Sequence, residues 1–351
     1  MLMTKILLVP DIHFGSQENN DDFLDYQFTC IDWMYNVARE HNIENIIFLG
    51  DIFDKRRTIN LRILDKIYKE FGFSEFNHYF ILGNHDAYYK NCNDINSLSV
   101  LMKDHIIIDQ EPVELEFDNT KLLLTPWINK ENYDNCISKI EKSKAPYLLG
   151  HFDLPGFELI RGFLSDHASI PVKLLDKFDR VISGHYHCHS NKKHIHYLGS
   201  LCQLNWSDYS EKKFIGILTP STNEFELIEN PHRFYEIIRI KSEQDLDIDI
   251  ESIKKKKVKI YLYVDRNIKI EKFITTITDY ASSVVVIDEK VLNSTEYTGD
   301  LDVSKMSIID SWKAYVDELE MSNKDKTIIN KIFVDTYNQV SSGDFEEIHE
   351  I

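Results

Sequence analysis

Five apolar segments of this sequence each run into side chains that bind metal ions in proteins. These side chains are, in chain order, Asp11 and His13; Asp51; Asn84, His85 and Asp86; His151; and His185 and His187. Oxygen and imidazole donors without cysteine suit divalent cations such as manganese, iron or magnesium. We therefore predict a metal centre in which Asp51 bridges two ions and the other side chains complete it.

A carboxylate shared by two metal ions about 3.5–4 Å apart forms a clamp that hydrolyses phosphoesters. The ions bind phosphate oxygens, activate a bridging water and stabilise charge during an in-line displacement. Each motif is weak by itself, because an isolated Asp-x-His is usually part of a turn and an isolated Gly-Asp is common. All five in order, each at the end of an apolar run, indicate a metal-dependent phosphoesterase.

The apolar segments alternate with helical patterns. Residues 4–9, 46–49 and 79–82 have the composition of buried strands, and apolar residues with 3-4-3 spacing within 28–38 and 61–71 predict amphipathic helices between them. This order implies parallel strands with crossover helices. Because ligands bind at the carboxyl ends of such strands, we expect the metal-binding residues to meet at one end of the sheet.

The pattern changes after residue 110. Residues 113–125 predict a hairpin, a short helix is expected to begin at Pro171, and short apolar runs within 195–240 predict a second, mostly antiparallel sheet. The predicted fold class is α/β, in the form of an α+β sandwich of two packed β-sheets flanked by helices. A small α+β capping domain and a C-terminal helical hairpin are expected to follow it.

Turn signals and composition divide the chain into segments. We predict a phosphoesterase domain at 1–230, a small α+β domain at 231–290, a polar linker at 291–304, a helix-loop-helix at 305–342 and a tail at 343–351. The apolar stripes of the two C-terminal helices could fold back on the body or form a partner-binding hairpin, and the sequence favours neither.

Charge and cysteine content limit the function classes. A net charge of −18 argues against a surface that coats nucleic acid, although basic residues cluster at 55–57, 192–193 and 254–257. The five cysteines are scattered without a CxxC pair, which is typical of reduced thiols in an intracellular protein. We expect no membrane span and no signal peptide, and hence a cytoplasmic location.

The motifs D-x-H, G-D-x-x-D, G-N-H-D, G-H and G-H-x-H, in this order, resemble those of the calcineurin-like metallophosphoesterase superfamily. The resemblance implies that His85 stands near the scissile phosphate as general acid or transition-state stabiliser and that Asp86 orients His85. It also implies two metal sites that share Asp51. Their ligands would be Asp11, His13, Asp51 and His187 for one ion, and Asp51, Asn84, His151 and His185 for the other.

A closer resemblance rests on GDIFDKRR at 50–57, TPW at 125–127, HFDLPG at 151–156 and two further stretches within 197–208. These are similar to the SbcD/Mre-eleven family of double-strand-break-repair nucleases, and most similar to its T-even-like phage branch. The resemblance implies manganese-dependent exonuclease activity on duplex DNA and endonuclease activity on single strands. It further implies a homodimer built on helices of the phosphoesterase domain. An SbcC/Rad-fifty-type coiled-coil ATPase would dock on the helical tail, and the capping domain would help hold DNA. For a phage protein the location would be the host cytoplasm.

Two alternatives remain open. One is another calcineurin-like phosphodiesterase acting on nucleotides or phosphoproteins, although protein phosphatases usually read G-D-x-x-D-R-G and G-N-H-E where this chain has Lys55-Arg56 and Asp86. The other is a non-catalytic scaffold, which the intact set of ligand positions disfavours. Some cellular relatives carry a histidine where this chain has Asp54, and we expect Asp54 to hold a ligand histidine or a loop backbone instead.

Overall fold

The structure is a computed structural model. It describes residues 3–17, 20–71, 75–160, 163–165 and 168–288, together with residues 312, 316, 326, 327, 329, 330 and 333. The chain divides into two units, Met1–Lys290 and Val291–Ile351. Among the described residues, no helix combines the length and the apolar character needed to cross a membrane.

The elements of the first unit follow the predicted alternation. The strands are β1 (Ile6–Val9), β2 (Asn45–Phe48), β3 (Asn77–Ile81), β4 (Ile106–Ile108), β5 (Val113–Phe117), β6 (Thr120–Thr125), β7 (Tyr147–His151), β8 (Glu158–Ile160), β9 (Phe163–Leu164), β10 (Arg180–Gly184), β11 (Ser190–Lys192), β12 (Ile195–Tyr197), β13 (Phe214–Thr219), β14 (Glu224–Glu229), β15 (Tyr235–Ile240), β16 (Lys257–Leu262) and β17 (Ser283–Asp288). The α-helices are α1 (Asp21–Glu40), α2 (Leu61–Glu70), α3 (Ser97–Leu101), α4 (Tyr133–Lys142) and α5 (Ile268–Tyr280). The predicted short helix after Pro171 is a 3-10 helix, Val172–Lys177.

The first sheet has the strand order β14-β13-β1-β2-β3-β4. Strands β1 to β4 are parallel, with Leu8 opposite Ile47 and Ile47 opposite Tyr79. Helices α1 and α2 are the crossovers between them. The predicted parallel pairing of the first three strands is therefore confirmed.

The second sheet has the order β11-β12-β10-β7-β6-β5. It is largely parallel, because β6, β7, β10 and β12 run in one direction and only the edge strands β5 and β11 are antiparallel to their neighbours. The predicted mostly antiparallel sheet within 195–240 is wrong. Strands β13 and β14 instead pair with the first sheet and β15 with a third one. Local apolar patterns identify a strand but carry no information about its partner.

The two large sheets pack face to face, and helices cover their outer sides. Leu8 and Leu49 from the first sheet share a buried cluster with Leu124 and Leu149 from the second. Helix α1 lies in the cluster on the outer side of the first sheet, and α4 lies in that of the second. The predicted fold class, two packed sheets flanked by helices, is confirmed.

A third sheet, β15-β16-β17, is parallel and carries α5. Val258, Ile260 and Leu262 of β16 are buried in a separate hydrophobic cluster with Ile277 of α5, and the residues between them are partly exposed. The predicted boundary of this small domain near residue 230 stays a prediction.

The second unit is described at only a few helical residues. The rings of Trp312 and Phe333 stack with centroids 4.3 Å apart, and Val316 is buried. Trp312 and Phe333 come from the two predicted C-terminal helices. The predicted linker, 291–304, and the tail, 343–351, lie outside the described residues.

Candidate metal centre

Strands from both large sheets end at one place. Strands β1, β2 and β3 of the first sheet and β7 and β10 of the second deliver the predicted ligands, each inside the strand or within four residues of its end. The contact between the sheets here is direct, because His151 Nδ1 lies 2.8 Å from the carbonyl oxygen of Leu49. The packing of two sheets therefore assembles one polar cluster from five separate segments.

One half of the cluster contains Asp11, His13 and His187, whose ligand atoms lie close enough together to share an ion. His13 Nε2 and His187 Nε2 are 3.0 Å apart, and His187 Nε2 is 3.8 Å from Asp11 Oδ2. Asp51 Oδ2 lies 3.6 Å from His13 Nε2. These are the four residues that the resemblance assigned to one metal ion.

The other half contains Asp51, His151 and His185. Asp51 Oδ2 lies 3.2 Å from His151 Nε2. Asn84 Oδ1 is 3.0 Å from both His151 Nε2 and His185 Nδ1. Asp51 thus contacts both halves, as a bridging carboxylate must. The structure brings all seven predicted ligands together, and their ligation of metal stays a prediction.

Hydrogen bonds fix the tautomers of two histidines in the form that metal binding needs. His13 Nδ1 lies 3.2 Å from Asp54 Oδ1, and His151 Nδ1 contacts the Leu49 carbonyl. A carboxylate and a carbonyl only accept hydrogen bonds, so each Nδ1 carries the hydrogen. Nε2 of each ring faces the cluster and would bind a metal ion once its proton is released, which is the arrangement of metal-ligating histidines.

The donor set fits divalent cations. Around His151 Nε2, the oxygen atoms of Asn84 and Asp51 approach to 3.0 and 3.2 Å, within hydrogen-bond distance of a proton on that nitrogen. A divalent cation that replaced this proton would meet three donor atoms. Since the donors are oxygen and imidazole nitrogen only, manganese, iron and magnesium all suit them.

Burial and mutual repulsion shift the protonation of the cluster. Burial, reinforced by Asp51, raises the pKa of Asp11 to about 7. Burial alone would raise the pKa of Asp51 too, but His151 and other histidines hold it well below its usual range. Burial would lower the pKa of His151, but Asp51 and Asp11 raise it to about 9. Without cations the cluster therefore retains protons, which metal ions would replace on binding.

Backbone strain is concentrated at the ligands. His13, Asp51 and His185 have φ of 53°, 48° and 93°. Positive φ in residues other than glycine costs on the order of 1–3 kcal/mol each and persists where the surroundings enforce it. The preceding glycines allow the close approach, since a Cβ at Gly83 would overlap the Asp51 carboxylate and one at Gly50 would lie 2.9 Å from Gly83 Cα.

His85 lies beside the first half of the cluster, but Asp86 does not orient it. The rings of His85 and His13 have centroids 4.9 Å apart, and the His85 amide donates to Asp51 Oδ1 over 2.8 Å. His85 Nδ1 donates to the carbonyl oxygen of Asp54 over 2.6 Å. The buried carboxylate of Asp86 instead accepts from the amides of Phe53 and Gly83. We therefore correct the predicted role of Asp86: it anchors the two ligand loops, and the Asp54 backbone orients His85.

Substitution of Asp54 tests the contact to His13. We expect Asp54→Ala to weaken manganese binding at the His13 half by about 10–100-fold, the usual cost of losing a group that holds a ligand histidine. Isothermal titration calorimetry measures the effect as one weakened site of two. Asp54→Asn keeps an oxygen that can accept from His13 and serves as the matched control, with a smaller loss. Equal weakening of both sites in Asp54→Ala would contradict the assignment.

A buried ion pair supports the loop that carries His187, and sequence reasoning gave it no role. Lys213 Nζ lies 2.7 Å from Asp208 Oδ1 and donates to the His187 carbonyl over 3.0 Å. Both side chains are almost fully buried. Asp208 Oδ2 also accepts from the amides of Leu204 and Asn205. In the sequence, Asp208 lies in a stretch that carries the family resemblance, and nothing there indicates Lys213 as its partner.

We expect Lys213→Met to lower the free energy of unfolding by about 3–5 kcal/mol, because it leaves the Asp208 charge buried without a cation. Urea denaturation measures the loss. Lys212→Met is the matched control: Lys212 is exposed and pairs with Glu229 at the surface, where a pair contributes at most about 1 kcal/mol. Equal losses in the two variants would contradict the account.

Other aromatic and histidine side chains lie around the centre. Trp127 packs near His185, with ring centroids 5.2 Å apart. His189 Nδ1 contacts the Tyr197 carbonyl and belongs to none of the metal-binding groups among the described residues. His196 lies on β12.

The two-sheet fold with a buried cluster of Asp, Asn and His at the strand ends defines a metallophosphoesterase. A family model described as calcineurin-like phosphoesterase matches residues 4–189. The chain belongs to the calcineurin-like phosphoesterase family and is a metal-dependent phosphodiesterase, which confirms the predicted superfamily and class of enzyme.

The predicted similarity to the T-even-like phage branch is also confirmed. Exonuclease subunit 1 of Enterobacteria phage T4 is 25% identical over 341 residues, covering 94% of this chain and 99% of that protein. Among solved structures, an archaeal phosphodiesterase matches with 17% identity and a TM-score of 0.33, covering 65% of this chain and 100% of its own. A dimetal phosphatase from Danio rerio matches with 12% identity and a TM-score of 0.41, covering 65% of this chain and 96% of its own.

Proposed function

We propose that this chain is the nuclease subunit of a DNA repair and recombination complex. It cleaves phosphodiester bonds with two divalent metal ions, as an exonuclease on duplex ends and an endonuclease on single strands. The observation that carries the proposal is Asp51, which contacts both halves of the ligand cluster. Similarity over 94% of the chain to an exonuclease subunit supports a nucleic acid as the substrate, and we propose DNA.

The protein side chains around the ions have separate tasks in this reaction. Two bound ions would hold phosphate oxygens and supply an activated water. His85 donates through Nδ1 to the Asp54 carbonyl, so its Nε2 is the nitrogen available to exchange a proton with the substrate. His85 thus acts as general acid or stabilises the transition state, and the metal-facing histidines keep fixed tautomers.

Manganese is the metal we propose, with magnesium or iron as the other members of the class that the ligands suit. The basic run Lys55, Arg56 and Arg57 follows Asp54 directly and lies next to the centre in the sequence. Local cations of this kind attract the phosphate backbone even on an acidic protein. DNA is therefore expected to approach from the side of this loop.

We also propose a homodimer built on helices of the phosphoesterase domain. Tyr68 of α2 and Val100 of α3 are 61% and 66% exposed, and Tyr68 reaches the backbone of Leu101 beside Val100. Adjacent exposed apolar side chains on two helices suit an interface with a second copy.

The location we propose, by analogy with the phage relative, is the cytoplasm of an infected host cell.

A coiled-coil ATPase of the SbcC/Rad-fifty type is the proposed partner of residues 305–342. The stacking of Trp312 on Phe333 supports a hairpin of two helices there. We expect removal of residues 305–351 to abolish co-purification with this ATPase while manganese binding is retained, since no proposed ligand lies in that segment. Affinity purification from cells that produce both proteins measures this. Retained binding would move the partner site elsewhere.

A comparison of two substrates tests the proposed function. We expect manganese-dependent, chelator-sensitive degradation of an end-labelled linear duplex in addition to turnover of bis-nitrophenyl phosphate. Turnover of the small diester without any DNA cleavage, even with the ATPase and ATP present, would favour the alternative phosphodiesterase acting on nucleotides or phosphoproteins. A titration in which no divalent ion binds would favour the non-catalytic scaffold.

A further inference from the structure

Two exposed tyrosines lie on the loop that follows His85. Tyr88 and Tyr89 are 37% and 49% exposed, and their rings meet edge to face with centroids 4.8 Å apart. Arg57 lies over the Tyr88 ring at 5.6 Å. We call Tyr88, Tyr89 and Arg57 the aromatic corner. It joins the loop after β2 to the loop after β3, and both loops carry residues of the metal centre.

The backbone under the aromatic corner is firmly held. The Tyr88 amide donates to the Ile95 carbonyl over 2.9 Å, and Ala87 pairs with Asn96 in an antiparallel bridge. The buried side chain of Asn93 donates to the carbonyl oxygens of Asp109 and Trp127. Because these bonds fix the loop before any ligand arrives, the exposed rings are displayed at little entropic cost.

A guanidinium beside the corner has an unused hydrogen-bonding group. Arg56 Nη1 is buried and has no hydrogen-bond partner among the described residues. Burial lowers the pKa of Arg56, and the carboxylates of Asp51 and Asp86 act in the opposite direction, so Arg56 lies near the metal centre. A buried donor without a partner is unfavourable, and a phosphate oxygen of the substrate would satisfy it.

We propose that the aromatic corner stacks an unpaired base of the DNA strand being cut, with the adjoining phosphate at Arg56. This inference rests on the proposed nuclease function and names the side chains that would hold its single-stranded or locally melted substrate. Exposed aromatic rings interleaved with cations are the features that bind single-stranded nucleic acid, since every base offers a face for stacking. The position of the corner, three residues after His85, suits a nucleotide that flanks the scissile phosphate.

The test measures how tightly two double variants bind DNA in a buffer with calcium. The two DNA substrates are a single strand that carries 2-aminopurine and a blunt duplex of the same sequence. We expect Tyr88→Ala with Tyr89→Ala to weaken single-strand binding about tenfold or more and to abolish the fluorescence quenching that stacking causes. Duplex binding should change less than about twofold, since phosphate contacts dominate there. Tyr88→Phe with Tyr89→Phe should keep both affinity and quenching, because it retains the rings. Thermal melting and manganese titration verify that each variant is folded.

Several outcomes would overturn the proposal. They are equal weakening for both forms of DNA, an affinity equal to that of the wild type in the alanine variant, or loss of quenching in the phenylalanine variant as well. A change of oligomeric state with unaltered DNA binding would make the corner a protein interface instead. If the wild-type protein cleaves DNA and the alanine variant binds DNA normally, only this inference is wrong. If the wild-type protein neither binds nor cleaves DNA, the proposed function is wrong too.

Discussion

Replacement of Asp51 by asparagine is expected to abolish tight manganese binding at both sites at once. The Asp51 carboxylate lies between the two halves of the cluster, 3.6 Å from His13 Nε2 and 3.2 Å from His151 Nε2. An amide has nearly the same shape but no charge, so its oxygen attracts two cations far more weakly than the charged carboxylate oxygen Oδ2, which faces both halves. We expect the affinity of each site to fall by more than about 100-fold, the upper range for losing a group that only supports a ligand.

Isothermal titration calorimetry with manganese measures this effect as the loss of both binding events. Asp65→Asn makes the same chemical change at an exposed carboxylate of α2 and should leave both events intact. Loss of only one ion in Asp51→Asn would show that Asp51 belongs to a single site. Circular dichroism checks that the variant is folded. Loss of the Asp51 charge also removes its repulsion of Asp11, which should offset part of any loss of stability.

Replacement of His85 by alanine is expected to lower the rate of DNA cleavage by about 10²–10⁴-fold, the range for removing a general acid or base. Metal binding should persist, because the hydrogen bond from His85 to the Asp51 carboxylate is donated by the backbone amide, which the substitution retains. The rate should fall at saturating substrate, since His85 is proposed to act in the chemical step.

His85→Asn is the matched variant for this experiment. Its amide can still donate to the Asp54 carbonyl, but it offers no imidazole nitrogen for proton exchange. We expect single-turnover cleavage to be as slow in the asparagine variant as in the alanine variant. Recovery of the rate by asparagine would mean that His85 only holds the loop, and a normal rate in either variant would remove its assigned role.

The position of the centre follows from the sequence because one physical rule governs it. Parallel strands carry their carboxyl ends to the same side, and polar residues after buried segments then converge. Asp11, Asp51 and Asn84, which follow β1, β2 and β3, obey this rule, so their proximity was predictable without coordinates. The rule depends on strand order and direction, which the alternation of strands and helices specifies for β1, β2 and β3.

The contacts between segments were less predictable. Residues 214–219 form a strand buried on both faces, and nothing in its apolar run indicates that it pairs with β1 instead of joining the second sheet. The same limit explains Asp86, which stands next to His85 in the chain while its carboxylate binds the backbone of Phe53. Sequence neighbours suggested a partner that the folded loops do not provide.

Strain and buried pairs also depend on the whole fold. Asp51 and His185 have a positive φ, which the surrounding loops enforce. Lysine and aspartate are common in exposed turns, and only the tertiary fold makes Lys213 and Asp208 a buried ion pair. Such features stabilise the site from outside the motifs that identify it.

Anomalous diffraction from crystals grown with manganese tests the central claim most directly. The account predicts two peaks about 3.5–4 Å apart with Asp51 between them. One peak should contact Asp11, His13 and His187, and the other should contact Asn84, His151 and His185. A single peak, or peaks that Asp51 does not bridge, would contradict the dimetal centre on which the proposed nuclease rests.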